Sequence, residues 1–369
     1  MTTTRHLSWY KPISILLLLV LLLAALGPSA VRGADPNVKR GEFVYLRASD
    51  ESVNTFVPPP DARQLLEEAP TAVINVEYHG FSAEAQAAFQ YAVDIWARQI
   101  VSSVPIHVKA YWQPLPRGVL GGAGPANFYR DWTTGNPPPQ PNTWYPIPLA
   151  NKLAGGDLVP PPGSEENPAH DIEAVFSSIL PNWYFGTDGN PPPRSYDFVS
   201  VVLHELGHGL GFVGSARVEG NIGEWGLGTG FPFIYDRFVQ NGAGQALTNT
   251  ALFPNPSSQL AALLQSNDLY WAGQNAVSAN GGSRPKLYVP PVWQQGSSYS
   301  HWDEAVYSPG NPNSLMTPAL ANGEAIHDPG PVTRGLFTDI GWTFQSTTPP
   351  PPPPASRIVL SLVWRCTRC

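Results

Sequence analysis

Two histidines and a glutamate in one apolar segment have the spacing of a catalytic metal site. Residues 198–212 read Phe-Val-Ser-Val-Val-Leu-His-Glu-Leu-Gly-His-Gly-Leu-Gly-Phe. His204 and His208 are four positions apart, so on a helix they project from the same face and can bind one Zn²⁺. Zinc lowers the pKa of a bound water to about 7, and we expect Glu205 to hold that water and accept its proton as a general base.

The motif alone is a moderate signal, because a histidine pair on an ordinary core helix can produce it. Here it closes an apolar stretch and is followed by Gly209 and Gly211, where the chain can turn. Ser195 is the predicted N-cap of the helix, with Asp197 in the first turn. This context favours a metal site.

A catalytic zinc needs a third protein ligand and leaves its fourth position for water. The candidates are Glu224, His301 and His327. The surroundings of Glu224 are rich in glycine and do not look helical, and His327 lies in a loop flanked by glycine and proline. His301 is followed 15 residues later by Met316, which is the only methionine besides Met1.

The motif and Met316 together resemble the metzincin zinc proteases. The metzincin motif extends His-Glu-x-x-His by x-x-Gly-x-x-His, and this chain has its glycine, Gly211, but a glycine at position 214 instead of the histidine. The layout is similar to the leishmanolysin-like branch, in which a motif ending in Gly-Phe precedes a long insertion, a distal histidine and a methionine turn. The resemblance implies that His301 is the third zinc ligand and that Met316 forms a turn beneath the metal.

The predicted function is that of a secreted zinc metalloendopeptidase that hydrolyses peptide bonds in proteins. One alternative is a gluzincin-type peptidase or hydrolase with Glu224 as third ligand, at a spacing that suits thermolysin-like enzymes. Another is a non-catalytic exported binding module on a protease-like scaffold, which the intact Glu205 disfavours. A Ca²⁺ ion is a further candidate cofactor at Asp188, in Gly-Thr-Asp-Gly-Asn, although an ordinary turn explains that segment as well.

The elements that must position these residues are visible in the first half of the chain. Residues 72–78 and 106–112 have strand patterns, and between them Ser82 is a plausible N-cap for a helix. Strand, helix and strand in this order predict a βαβ unit. The expected fold is α+β and, by the resemblance, metzincin-like: an N-terminal mixed twisted sheet with two long helices, the second carrying the motif, and an irregular, loop-rich C-terminal subdomain.

Composition and chain ends limit the remaining possibilities. The chain has 21 Lys and Arg against 28 Asp and Glu and no basic stripe, which argues against a nucleic-acid partner. A basic start, a short apolar run and small residues predict a cleaved secretory signal, so no stable membrane insertion is expected after cleavage. Protein or peptide substrates are expected from the predicted peptidase function. Cys366 and Cys369 are the only cysteines, which excludes a propeptide cysteine that caps the metal.

The predicted divisions of the chain are a signal peptide at 1–34, an N-terminal arm or short pro-segment at 35–70, a metallopeptidase domain at 71–345 with subdomains 71–213 and 214–345, and a Pro-rich linker and tail at 346–369.

Overall fold

The computed structural model of this protein describes residues 35–60, 69–159, 163–164 and 167–345. The predicted signal peptide and the Pro-rich tail with Cys366 and Cys369 lie outside these residues. The described helices are α1 (Ala83–Gln99), α2 (Ile147–Ala154), α3 (Phe198–Leu210), α4 (Ser258–Leu264), α5 (Gln274–Ala279) and α6 (Pro331–Ile340). In the part of the chain so described, no helix combines the length and apolar character that a membrane span requires.

The described strands, in chain order, are β1 (Val38–Arg40), β2 (Val44–Val57), β3 (Ile74–His79), β4 (Ile100–Val101), β5 (Ile106–Gln113), β6 (Val119–Pro125), β7 (Asn127–Tyr129), β8 (Tyr145–Pro146), β9 (Ile172–Ser177), β10 (Trp183–Tyr184), β11 (Tyr196–Asp197), β12 (Arg217–Glu219), β13 (Ile222–Glu224), β14 (Val239–Asn241), β15 (Leu269–Trp271), β16 (Ala319–Ile326) and β17 (Thr343–Phe344).

One mixed sheet of six strands organises the molecule, in the order β16-β2-β6-β9-β5-β3. Strands β3, β5 and β9 run parallel, β6 is antiparallel to both of its neighbours, and β16 is parallel to β2. Helix α1 connects the parallel pair β3 and β5, so the predicted βαβ unit is present. The α+β prediction is confirmed at this level.

Helices α1 and α3 pack against each other. The N-cap of α1 is Ser82, whose side chain accepts a hydrogen bond from the backbone N–H of Ala85 at 3.2 Å. Phe89, Val93 and Trp96 are buried along one face, as an amphipathic helix requires. The indole N–H of Trp96 donates to the carbonyl oxygen of Leu203 on α3 at 3.0 Å, which fixes the two helices side by side.

Residues 35–70, predicted to be an N-terminal arm or a short pro-segment, contribute a strand to the main sheet. Strand β2 comes from this segment and is an inner strand of the sheet, with β6 and β16 as neighbours. The sheet therefore includes residues that precede position 71. Both partner strands are distant in sequence, so their pairing leaves no local pattern to read.

Residues 113–168 are rich in proline and glycine, yet they do not form only surface loops. This segment contains β6, β7, β8 and α2, and β6 is buried along its whole length. Its glycines permit close contacts: a Cβ atom at Gly121 would lie 3.0 Å from Glu205 Oε1. The glycines of β6 are therefore explained by the close approach of other groups to its backbone, and they do not indicate a loop.

The C-terminal half is not a separate layer. Strand β16 belongs to the same sheet as β2. The sheet therefore contains strands from both sides of the predicted subdomain boundary at residues 213 and 214. Helix α6 closes the domain, and Phe337 on it packs against Trp96 with ring centroids 5.4 Å apart. The core is continuous between the two halves.

Candidate metal centre

Helix α3 carries His204, Glu205 and His208 and is buried over all of its residues. Its N-cap is Asp197 rather than the predicted Ser195. The Asp197 carboxylate accepts hydrogen bonds from the backbone N–H and the hydroxyl of Ser200, at 2.8 and 2.6 Å. A carboxylate at this position also interacts favourably with the helix dipole, which explains why the helix begins here.

The helix ends at Leu210, and the C-cap is Gly211 with φ of +124°. A side chain at this position would be strained by the backbone conformation and would meet the ring of Pro146, since a Cβ atom would lie 2.8 Å from its Cγ. The backbone N–H of Gly211 donates to the carbonyl oxygen of His208 at 3.0 Å. Glycine therefore allows the chain to leave the helix directly after the second histidine.

The third histidine comes from the long segment between α5 and β16. His301 is held through its backbone, because its carbonyl oxygen accepts from the N–H of Tyr288 at 2.9 Å. The next residue, Trp302, donates its N–H to the carbonyl oxygen of Met316 at 2.8 Å. The loop that delivers the histidine is thus fastened to the turn that contains the methionine.

The Nε2 atoms of the three histidines converge on one point. The distances are 2.9 Å between His204 and His208, 3.2 Å between His208 and His301, and 3.2 Å between His204 and His301. Within the described residues they form the one group of three His, Cys, Asp or Glu side chains that could hold a metal ion. All three are buried, with no more than 1% of any residue exposed.

Hydrogen bonds on the opposite side of each ring determine the tautomer. Each Nδ1 atom lies within hydrogen-bond distance of a backbone carbonyl oxygen, which can only accept, so each Nδ1 carries the proton. The partners of His204, His208 and His301 are the carbonyl oxygens of Leu315, Phe212 and Ser297, at 2.6, 2.7 and 2.6 Å. In the neutral rings, each Nε2 therefore has a lone pair and no hydrogen.

Three lone pairs that face one another cannot hydrogen-bond, so a shared cation is what would satisfy them. Burial also opposes charging the rings: it lowers the pKa of His204 to about 4 and the pKa of His208 and His301 well below the ordinary histidine value. Ligand nitrogens at 2.0–2.1 Å from a tetrahedral Zn²⁺ would be about 3.3 Å apart. The observed separations are close to that value, so the residues fit a zinc ion.

Glu205 lies beside this cluster, beneath strands β2 and β6. Its Oε1 atom accepts a hydrogen bond from the backbone N–H of Leu46 at 3.3 Å. Its Oε2 atom is buried and has no hydrogen-bond partner. Burial raises the pKa of this carboxyl well above its usual range, while a positive charge at the histidines would act in the opposite direction.

Met316 packs against helix α3. It lies in a short 3-10 helix, Ser314–Met316, and is fully buried. A Cβ atom at Gly207 would lie 2.8 Å from its sulfur, so the methionine packs directly against α3 between the two histidine positions. The preceding residue, Leu315, provides the carbonyl oxygen that orients His204.

A buried polar network that sequence analysis missed lies behind His301. Asp236 accepts hydrogen bonds from the hydroxyl of Tyr299 at 2.9 Å and from the backbone N–H groups of Ser215 and Phe233 at 3.0 and 2.7 Å. Tyr235 donates its hydroxyl to the carbonyl oxygen of Tyr299 at 2.9 Å. No sequence motif marks these residues, because they come from separate loops and meet only in the fold.

The other candidate ligands are placed elsewhere. Glu224 lies in the hairpin of β12 and β13 and pairs with Arg217 at 2.7 Å. His327 is buried with its Nε2 atom 2.9 Å from Oδ2 of Asp197, the N-cap of α3. Asp188 is exposed and accepts from the backbone N–H of Asn190 at 3.0 Å, as in an ordinary turn. Among the described side chains, none of these three residues belongs to a metal-ligating group.

Comparison with known proteins adds no relative: no family model, no curated protein and no solved structure matches this chain.

Proposed function

We propose that this chain is a zinc-dependent endopeptidase of the metzincin type. The observation that carries the proposal is the convergence of three unprotonated Nε2 atoms beside the carboxylate of Glu205. Structural zinc sites use four protein ligands, whereas catalytic sites use three and leave one position open. Three histidines with an adjacent glutamate correspond to the catalytic arrangement.

The chain's own residues have distinct roles in the proposed reaction. His204, His208 and His301 hold the zinc, and their backbone partners keep each ring in the required tautomer. Bound zinc supplies a Lewis acid that polarises a peptide carbonyl and makes a water nucleophilic near neutral pH. Glu205 accepts the proton of that water at Oε2, which has no other partner, and then donates it to the nitrogen of the leaving amine.

The substrates and location follow from the same proposal. A water that is activated to attack a carbonyl carbon can hydrolyse peptide bonds in proteins or peptides. The proposed location is outside the cell, on the strength of the signal-like residues 1–34. The gluzincin alternative loses support because Glu224 is engaged with Arg217.

The test is cleavage of casein and of peptides by the full chain, with wild type and Glu205→Gln compared and zinc measured in both. Glutamine keeps the size of the side chain but cannot accept the proton. We expect zinc in both proteins and a cleavage rate in the variant that is lower by about 10²–10⁴-fold. Detectable cleavage at equal rates by both proteins would contradict the assignment of Glu205.

A further inference from the structure

The proposed catalytic centre is covered by a strand from the chain's own N-terminal segment. Glu205 and the three histidines are buried, although a peptidase must admit a peptide to them. The covering residues include Leu46, whose backbone N–H donates to Glu205 Oε1 at 3.3 Å. This hydrogen bond joins the N-terminal strand directly to the proposed general base.

Residues 43–48 lie in a groove between two walls. Strand β6 forms one wall and is antiparallel to β2, with Val44 opposite Ala123 and Leu46 opposite Gly121. On the other side lie Gly296 and Pro318, which accept backbone hydrogen bonds from the strand. These two residues flank the segment that carries His301 and Met316.

Backbone N–H groups of the strand alternate between these walls. Tyr45 donates to the carbonyl oxygen of Gly296 at 2.8 Å, and Arg47 donates to that of Pro318 at 3.1 Å. Between them, Leu46 points its N–H toward Glu205 on the β6 side. An extended peptide bound in a groove makes this pattern of main-chain hydrogen bonds.

Side chains of the strand alternate as well. Val44 and Leu46 are buried in the main core, on the side of α3, with 5% and 2% of each residue exposed. Tyr45 lies on the opposite face, where it packs against the small apolar cluster of Leu115, Val119 and Val175. Leu46 therefore combines a buried apolar side chain with a backbone N–H at the catalytic carboxylate.

We propose that residues 43–48 occupy the groove that a peptide substrate enters, and that the enzyme is latent until this strand is displaced. The inference rests on the proposed peptidase function. A propeptide cysteine cannot cap the metal here, because the only cysteines are Cys366 and Cys369. The proposed latency therefore depends on the strand itself. A substrate that replaces the strand presents an apolar side chain where Leu46 now packs.

The test introduces a charge that the covered position cannot accept. Leu46→Asp places a carboxylate in the core beside Glu205 and disfavours the closed strand, whereas Asn54→Asp adds the same residue at an exposed position of β2 as the matched control. The full chain, freed of metal, is treated with diethyl pyrocarbonate, and modification of His204, His208 and His301 is followed by mass spectrometry. Casein cleavage by the zinc-loaded proteins is measured in parallel.

We expect modification of the three histidines and casein cleavage to increase at least about tenfold in Leu46→Asp and to be unchanged in Asn54→Asp, because access scales with the open fraction. Equal modification rates in wild type and Leu46→Asp would overturn the latency inference and leave the peptidase proposal untouched. Accessible histidines without cleavage by any zinc-loaded protein would instead contradict the peptidase function, and with it the view that the strand replaces a substrate.

A disulfide provides a second test if Leu46→Asp does not fold. Val44→Cys with Ala123→Cys joins directly opposed positions of β2 and β6, and Val76→Cys with Val108→Cys joins β3 to β5 as a control. Both pairs are made with the two native cysteines replaced by serine. We expect the oxidised first pair to reduce histidine modification at least about tenfold, reversibly on reduction. Unchanged modification in the oxidised protein would overturn the inference.

Discussion

The ring of Tyr299 fills the space beside Gly214. A Cβ atom at position 214 would overlap this ring and would also lie 2.9 Å from Cδ1 of Tyr235. The resemblance to metzincins places a histidine at this position, and the packing explains why a histidine cannot be there. The third histidine comes instead from His301, two residues beyond the tyrosine.

Gly214→Ala therefore has a large expected effect for the addition of one methyl group. The methyl displaces Tyr299, whose hydroxyl is bound to Asp236, and we expect a loss of about 1–3 kcal/mol in the free energy of unfolding. Gly156→Ala is the control, because a Cβ atom there meets nothing within 4 Å. Urea unfolding of both variants measures the difference, and a Gly214→Ala protein as stable as the control would refute this account of the packing.

The position of His301 could be predicted from sequence only by resemblance, whereas α3 followed from its own pattern. Apolar residues, histidine spacing and the terminal glycine all lie within one short segment, so local rules suffice. The distance from His208 to His301 is a property of the tertiary fold. The start of α3 was predicted two residues early, because Ser195 and Asp197 are both acceptable N-caps by residue type.

Strand β2 could not be recognised because its evidence is non-local. Its partners lie at residues 119–125 and 319–326, and its outer half, with Asp50 and Glu51, is polar. Strand β6 was missed for a different reason: its glycines read as a loop, although they permit contact with groups such as Glu205. The sequence thus predicted the helix and the ligand types but not the strand that covers them.

The N-cap of α3 is expected to matter more than the N-cap of α1. Ser82→Ala removes one partly buried hydrogen bond and should cost about 1 kcal/mol. Asp197→Ala removes the cap and also leaves His327 and the Ser200 hydroxyl without their partner in the core, so we expect about 2–4 kcal/mol. Thermal unfolding of the two variants compares them, and equal losses would show that the buried network contributes nothing beyond the cap.

Buried carboxyls give the fold a defined pH dependence. Burial raises the pKa of Glu324 to about 7, so the folded state binds the proton more tightly than the unfolded chain does. The stability from the protonated group is complete below about pH 4.5 and is lost as pH rises to about 7, by up to about 3 kcal/mol. Asp171 has its pKa raised to about 7 in the same direction, also by burial.

Glu324→Gln should therefore flatten the decline in melting temperature between about pH 4.5 and 7. Glutamine retains an acceptor for the backbone N–H of Ala321, which donates to Oε2 at 3.1 Å in the native protein. Asp171 continues to contribute, so part of the decline should remain. A melting-temperature profile identical to that of the wild type would contradict the role assigned to Glu324.

The most direct test of the account is the zinc content of the full chain after metal removal, reloading and dialysis, for wild type, His301→Ala and Glu224→Ala. The convergence of three Nε2 atoms predicts one zinc per wild-type chain, one in Glu224→Ala, whose carboxylate pairs with Arg217, and none retained by His301→Ala. A well-folded wild type that binds no zinc, or a His301→Ala variant that binds it as the wild type does, would contradict the three-histidine centre.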